Sequence, residues 1–137
     1  MSNKLVMSPY GDFLGIEIES FGEGRALCSI AVKPQHFNAG GRVHGGVLTS
    51  LADSCAGVAV RSLRPEGVAS ATTDLNIAFI RPPMGDRLEA EADVLHAGKR
   101  LYRVEMSVFS MTAGESETRK LVAKCNATFM LVFPEKA

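Results

Sequence analysis

This chain has no net charge, no long apolar run and no paired cysteine motif, and each absence removes a class of function. Its fifteen basic and fifteen acidic residues cancel, so no broad positive field is available to attract nucleic acid, and no nucleic-acid partner is expected. No apolar stretch approaches the ~20 residues that a membrane-spanning helix needs, so no membrane partner is expected either. The segment from Met1 to Pro9 lacks an apolar stretch long enough for a secretory signal, which points to a cytoplasmic location. Cys28, Cys55 and Cys125 are odd in number, widely spaced and set in apolar sequence. They read as buried reduced thiols. Without a CxxC pair or a Cys/His cluster, no metal site is expected.

What remains is ordinary globular sequence. A content of 46% hydrophobic and 22% charged residues over 137 positions fits one domain, residues 1–137, able to bury roughly two-thirds of its unfolded surface. Residues 13–20 and 25–33 alternate around Phe21-Gly22-Glu23-Gly24 and read as a β-hairpin. Leu48, Leu51, Ala52, Cys55, Ala59 and Val60 recur at helical spacing, predicting one long helix from Gly45 or Gly46 to about Leu63, kept thin by Ala52, Ala56, Gly57 and Ala59. Arg64-Pro65-Glu66-Gly67 ends it.

Four further strands are predicted over 70–80, 87–96, 100–111 and 121–133, with a hairpin loop at 112–118. In the strand around Leu88, strict alternation puts Glu89, Glu91 and Asp93 on one face and small apolar residues on the other, as in a sheet with one solvated side. The order ββ-α-ββββ predicts an α+β fold: one long central helix wrapped by an antiparallel sheet.

The most informative stretch is Asn38-Ala39-Gly40-Gly41-Arg42-Val43-His44-Gly45-Gly46, running into Val47-Leu48-Thr49-Ser50-Leu51-Ala52-Asp53. The first N–H groups of a helix have no intrahelical partner and sit at the positive end of its dipole, so a glycine there lets a polarised carbonyl oxygen approach. Asp53 lies seven residues beyond Gly46, on nearly the same helical face. The expectation is an oxyanion site and a base or nucleophile sharing one helix. A carboxylate among small apolar residues must be hydrogen-bonded, neutralised or used.

These residues carry a resemblance. The pattern Asn-x-x-Gly-x-Val-His-Gly-Gly followed by Leu-Ala-Asp is similar to the hotdog-fold acyl-CoA thioesterases of the PaaI-like (phenylacetyl-CoA) branch. Thr72-Thr73-Asp74-Leu75-Asn76-Ile77-Ala78-Phe79 leading to Arg81-Pro82-Pro83, Gly98-Lys99-Arg100, and Leu121-Val122-Ala123 fall where that family has its strands and turns. The likeness runs from about Phe13 onward.

The resemblance implies a hotdog fold whose curved sheets join across a dimer, or a dimer of dimers giving a homotetramer. It also implies hydrolysis of acyl- or aryl-CoA thioesters without a cofactor. Gly45 N–H then polarises the carbonyl, with Gly46 beside it, and Asp53 acts as general base or nucleophile. Asn38 either stabilises the Gly-rich turn or orients substrate, and His44 is either a satisfied loop histidine or an auxiliary group. Thr72, from the partner protomer, holds water or the carboxylate, although alternation puts Thr73 and not Thr72 with Leu75, Ile77 and Phe79. Arg81, Lys99 and Arg100 are candidates for the CoA phosphates, since phosphate contacts want Arg or Lys on exposed turns.

Two rivals stand beside this reading. A hotdog hydratase or dehydratase would place its histidine and acid in differently spaced motifs, often with a proline-rich turn absent here. A non-catalytic acyl-CoA sensor would keep the pocket and lose the carboxylate that Asp53 supplies.

Overall fold

The computed structural model describes residues 5–114 and 119–135. Its elements are α1 (Pro9–Leu14), β1 (Glu17–Gly22), β2 (Arg25–Ala31), a 3-10 turn (Pro34–His36), α2 (Gly45–Arg61), β3 (Ala69–Phe79), β4 (Arg87–Ala97), β5 (Leu101–Met111) and β6 (Lys120–Val132). The expected hairpin loop at 112–118 falls partly on 115–118, outside the described residues.

One expectation needs correction at the start. Phe13 and Leu14 do not open a strand; they close α1. Ser8 caps that helix by accepting from Gly11 N–H at 3.0 Å, Pro9 supplies the first turn, and Gly15 stops it in the left-handed region at φ 83°. These local cap signals outweigh a two-residue alternation. The hairpin that follows turns through Glu23 and Gly24, at φ 53° and 79°, the doubly left-handed turn that matches strand twist.

The six strands form one antiparallel sheet in the order β1-β2-β4-β5-β6-β3, open at both edges. Helix α2 lies across its inner face. Leu48, Leu51, Ala52, Cys55, Ala56 and Ala59 are buried against Cys28, Ile30, Ala90, Met106, Ala123 and Ala127. Small side chains on both sides let helix and sheet approach closely, and Cys55 Sγ sits 3.4 Å from Ala26 O and 3.3 Å from Ala90 O. All three thiols are buried and free of disulfides. The hydrogen bond with Cys28 and burial push the Cys55 thiol far above the usual range. Burial pushes Cys125 up to about 11.

The outer face is laid out in charge pairs. Arg25 meets Asp93 at 3.8 Å, Arg87 meets Glu89 at 3.2 Å and Glu19 at 3.4 Å, Arg119 meets Glu89 and Glu91, and Lys124 meets Glu105 at 2.9 Å. The hydrogen bond from Ser29, and after it Arg87, hold the Glu19 carboxyl below its ordinary range against a smaller opposing effect of burial. The three carboxylates of β4 are thus the solvated row expected from alternation, each offset by an arginine.

Candidate active site

The loop before α2 is folded around Asn38. Its Oδ1 accepts from Gly40 N–H at 2.9 Å and Arg42 N–H at 3.1 Å, its N–H donates to Arg42 O at 2.6 Å, and its carbonyl accepts from Gly41 N–H at 3.1 Å. Two backbone donors fix which side-chain atom is the oxygen, and the amide NH₂ remains to donate outward. Of the two roles expected for Asn38, the turn-stabilising one is the role its oxygen performs.

Beneath this loop lies a residue whose importance the sequence did not signal. His36 is 1% exposed. Its Nδ1 accepts from Lys33 N–H at 2.9 Å, its Nε2 lies 2.8 Å from Leu14 O, and its carbonyl accepts from His44 N–H at 2.8 Å. With Nδ1 accepting, Nε2–H is the donor. The imidazole ties α1 to the 3-10 turn, and the backbone carbonyl of the same residue holds the start of α2. A lone histidine in Pro-Gln-His-Phe carries no spacing that could have revealed this.

His44 is the N-cap of α2. Its Nδ1 accepts from Gly46 N–H at 2.7 Å, so the Gly46 N–H expected to face substrate is already consumed. A Cβ on Gly46 would come within 2.9 Å of the same Nδ1, which explains the glycine. Gly45 differs: its N–H has no acceptor among the described residues. A Cβ there would meet the Phe79 ring at 3.2 Å. One helix-start N–H without an acceptor among the described residues, beside an aromatic ring, is what the loop delivers.

Asp53 is half-buried on α2, and its Oδ1 accepts from Thr72 Oγ1 at 2.8 Å. This corrects the expectation that Thr72 reaches the carboxylate from a partner protomer: the contact lies within one chain. A β-bulge explains how. Thr72 pairs with Phe129 and Asp74 with Thr128, leaving Thr73 as the extra residue, while Leu75 pairs with Ala127 and Ile77 with Cys125. Since directly opposed residues share a face, the bulge puts Thr72 with Leu75 and Ile77 toward the helix. Thr73 donates its hydroxyl to Thr128 O at 3.2 Å. No cation lies within ion-pair distance of Asp53 among the described residues. One oxygen is held by a neutral hydroxyl and the other is available.

The two parts do not meet in one chain. Gly45 and Asp53 are eight residues apart on a continuous helix, about 12 Å along its axis at 1.5 Å per residue. A reacting carbon must lie roughly 3–3.5 Å from its attacker. The helix that carries both groups thus sets them apart along its axis. The basic candidates separate likewise. Arg81 follows Phe79, whose ring lies over Gly45. Lys99 and Arg100 form the β4–β5 turn, where Leu131 N–H donates to Arg100 O at 2.7 Å. Leu131 pairs with Ser70, at the opposite end of β3 from Phe79, about 30 Å away at strand rise.

Among the described residues no helix is long and apolar enough to cross a membrane, and no group of three or more His, Cys, Asp or Glu could hold a metal ion.

Comparison with known proteins gives the family. Residues 40–117 match the thioesterase superfamily. The acyl-coenzyme A thioesterase PaaI of Escherichia coli is 43% identical over 96 residues, which span 68% of this chain and 66% of PaaI, just under two-thirds of that relative. Human acyl-coenzyme A thioesterase 13 is 28% identical over 101 residues, 73% of this chain and 71% of the relative. The solved structure of E. coli PaaI superposes with a TM-score of 0.80 at 31% identity, covering 91% of this chain and 85% of that one. A thioesterase family protein from Silicibacter pomeroyi reaches 0.87 at 25% identity, covering 93% and 91%. With its single long helix laid against a six-stranded antiparallel sheet, the chain has the hotdog fold and belongs to the thioesterase superfamily.

Proposed function

We propose that this protein hydrolyses acyl- or aryl-CoA thioesters to the free acid and CoA, at a site shared between two copies of the chain. The observation that carries the reading is a pair of groups on α2 that are unused among the described residues: an unaccepted N–H at Gly45 and a carboxylate without a cation at Asp53, about 12 Å apart along the helix. A two-fold arrangement supplies each with its missing half. Gly45 N–H and the Asn38 amide of one copy bind the carbonyl oxygen; Asp53 and Thr72 of the other face the carbonyl carbon.

In the reaction Thr72 holds Oδ1 of Asp53, and the remaining oxygen takes a proton from water as the water oxygen adds to the thioester carbon. Negative charge collects on the former carbonyl oxygen, where the Gly45 N–H meets it at the positive end of the helix. The C–S bond then breaks, the thiol of CoA leaves with the proton, and the acid remains. Trapping an acyl group on Asp53 in a single turnover would replace the base with a nucleophile.

The assembly follows from the sheet. β3 is an edge strand, and an uncovered edge of eleven residues invites pairing with its own copy. A dimer through β3, and a tetramer of two such dimers, is the assembly we expect, working in the cytoplasm, where buried thiols stay reduced.

The test is free-thiol release from a panel of aliphatic and aryl CoA thioesters. Turnover that disappears in Asp53→Asn supports the proposal. A folded protein that releases thiol from no member of the panel overturns it.

A further inference from the structure

Beyond Asp53 the outward stripe of α2 continues over Ser54 and Gly57 to Arg61, all half-buried. Gly57 is not demanded by packing within the chain: a Cβ there would meet only Phe129 Cε2, at an ordinary 3.8 Å. A mid-helix glycine weakens the helix relative to alanine, yet here it keeps a low track along the surface. The track ends at a cavity of about 410 Å³ lined by Leu5, Pro65 and the segment from Gly67 to Ala69 together with Arg61, Arg64 and Glu66.

The two arginines are placed unlike those of the sheet. Arg25, Arg87, Arg103 and Arg119 each lie within 4 Å of at least one carboxylate. Arg61 and Arg64 have no such partner among the described residues, and Glu66 does not come within ion-pair distance of either. Arg61 donates to Val6 O at 3.3 Å and Arg64 to Ser70 Oγ at 2.7 Å, which leaves most of both guanidinium forks unused. Burial, and then the neighbouring Arg61, hold the Arg64 guanidinium below its ordinary range. The negative end of the α2 dipole favours one cation in the last turn, but gives no reason for a second one half-buried beside it.

We propose that Arg61 and Arg64 form an anion pocket for a phosphate group, and that in the working protein this is a phosphate of the substrate's nucleotide arm. The proposal rests on the thioesterase reading for the identity of the ligand. Two planar donor forks around one cavity suit a tetrahedral polyanion. The distance agrees: Arg61 lies about 12 Å along the helix axis from Asp53, with Arg64 just past the Ser62 cap, the order of length over which the pantetheine arm separates the sulfur of CoA from its pyrophosphate. Arg100 adjoins the same end of the sheet, since Ser70 pairs with Leu131, which donates to the Arg100 carbonyl. Its charge and that of Lys99 reinforce the field.

The experiment compares one acyl group carried by CoA and by N-acetylcysteamine, which has no phosphate, in wild type and in an Arg61→Met/Arg64→Met double variant. The expected result is KM for the CoA thioester raised about 10- to 100-fold with kcat nearly unchanged, and no change for the short thioester. Arg61→Lys/Arg64→Lys should recover part of the loss. An unchanged KM for the CoA thioester, or equal losses on both substrates in a folded variant, overturns the proposal. Thermal unfolding with added inorganic phosphate at fixed ionic strength tests the pocket without turnover. Wild type should be stabilised and the double variant not, whereas no difference between them removes the pocket. If neither thioester is hydrolysed but phosphate still discriminates, the thioesterase reading fails while the anion pocket stands.

Discussion

The donor half of the proposed site, from His36 to Gly46, and the acid half, Asp53 with Thr72, are built in opposite ways. The donor half is local and made largely of backbone. Asn38 closes its turn on Gly40 and Arg42, His36 fastens it from below, and His44 takes up one of the two glycine N–H groups so that the other remains. The acid half is long-range and made of side chains, joining a helix residue to a strand residue nineteen positions later across a bulge. The first half therefore responds to changes in backbone geometry, and the second to changes in functional groups. Each half is incomplete alone.

The largest effect should come from the acid half. Asp53→Asn preserves size and the Thr72 contact but removes the base, so turnover should fall by roughly 10²–10⁴ with melting temperature little changed. Near-wild-type hydrolysis in that variant would detach chemistry from Asp53. Gly45→Val comes next, with a loss of about 10²–10³ in kcat, typical of a missing oxyanion donor. Its new side chain meets the Phe79 ring at 3.2 Å, and Phe79 is 55% exposed and able to move, so the fold should survive. Adding Phe79→Leu to Gly45→Val separates the causes. Recovery in the double variant would assign the loss to the ring rather than to the donor.

Smaller effects sharpen the contrast further. Thr72→Val should cost about tenfold in kcat, the value of one hydrogen bond to a charged group, while Thr73→Val should change it by less than about twofold. Equal losses would mean that the bulge does not select between them. His44→Ala removes an N-cap and frees the Gly46 N–H; it should lower stability by about 1 kcal/mol and turnover only several-fold. A stability unchanged by that substitution in thermal unfolding would show that the cap is not holding the helix start.

Much of this was legible in the residues. Helical spacing from Leu48 to Val60 located α2, and alternation around Ala90 located β4 together with its charged outer row. Three things were hidden, each for a physical reason. Leu14, Ile16 and Ile18 recur at every second position like a strand, and only the Ser8 and Gly15 caps assign Phe13 and Leu14 to α1 instead. The bulge at Thr73 shifts the period by one without a glycine or proline to mark it, so straight alternation favoured Thr73 over Thr72. Helical phase brings Gly45 and Asp53 toward one face, but the rise of the helix keeps them about 12 Å apart, and a pattern of spacing shows only the first. Side-chain contacts such as those of His36 depend on which strands and turns meet, and no local pattern encodes that.

Complementation between two inactive variants tests the shared site most directly. Gly45→Val and Asp53→Asn proteins, each nearly inactive, are mixed in equal amounts under conditions where subunit exchange is verified by mass. A mixed dimer then holds one site bearing both lesions and one bearing neither. Random pairing of two copies makes half the dimers mixed, so the account predicts recovery to about a quarter of wild-type turnover. A fully exchanged mixture no more active than its separate components would contradict it, placing donor and acid in the same chain.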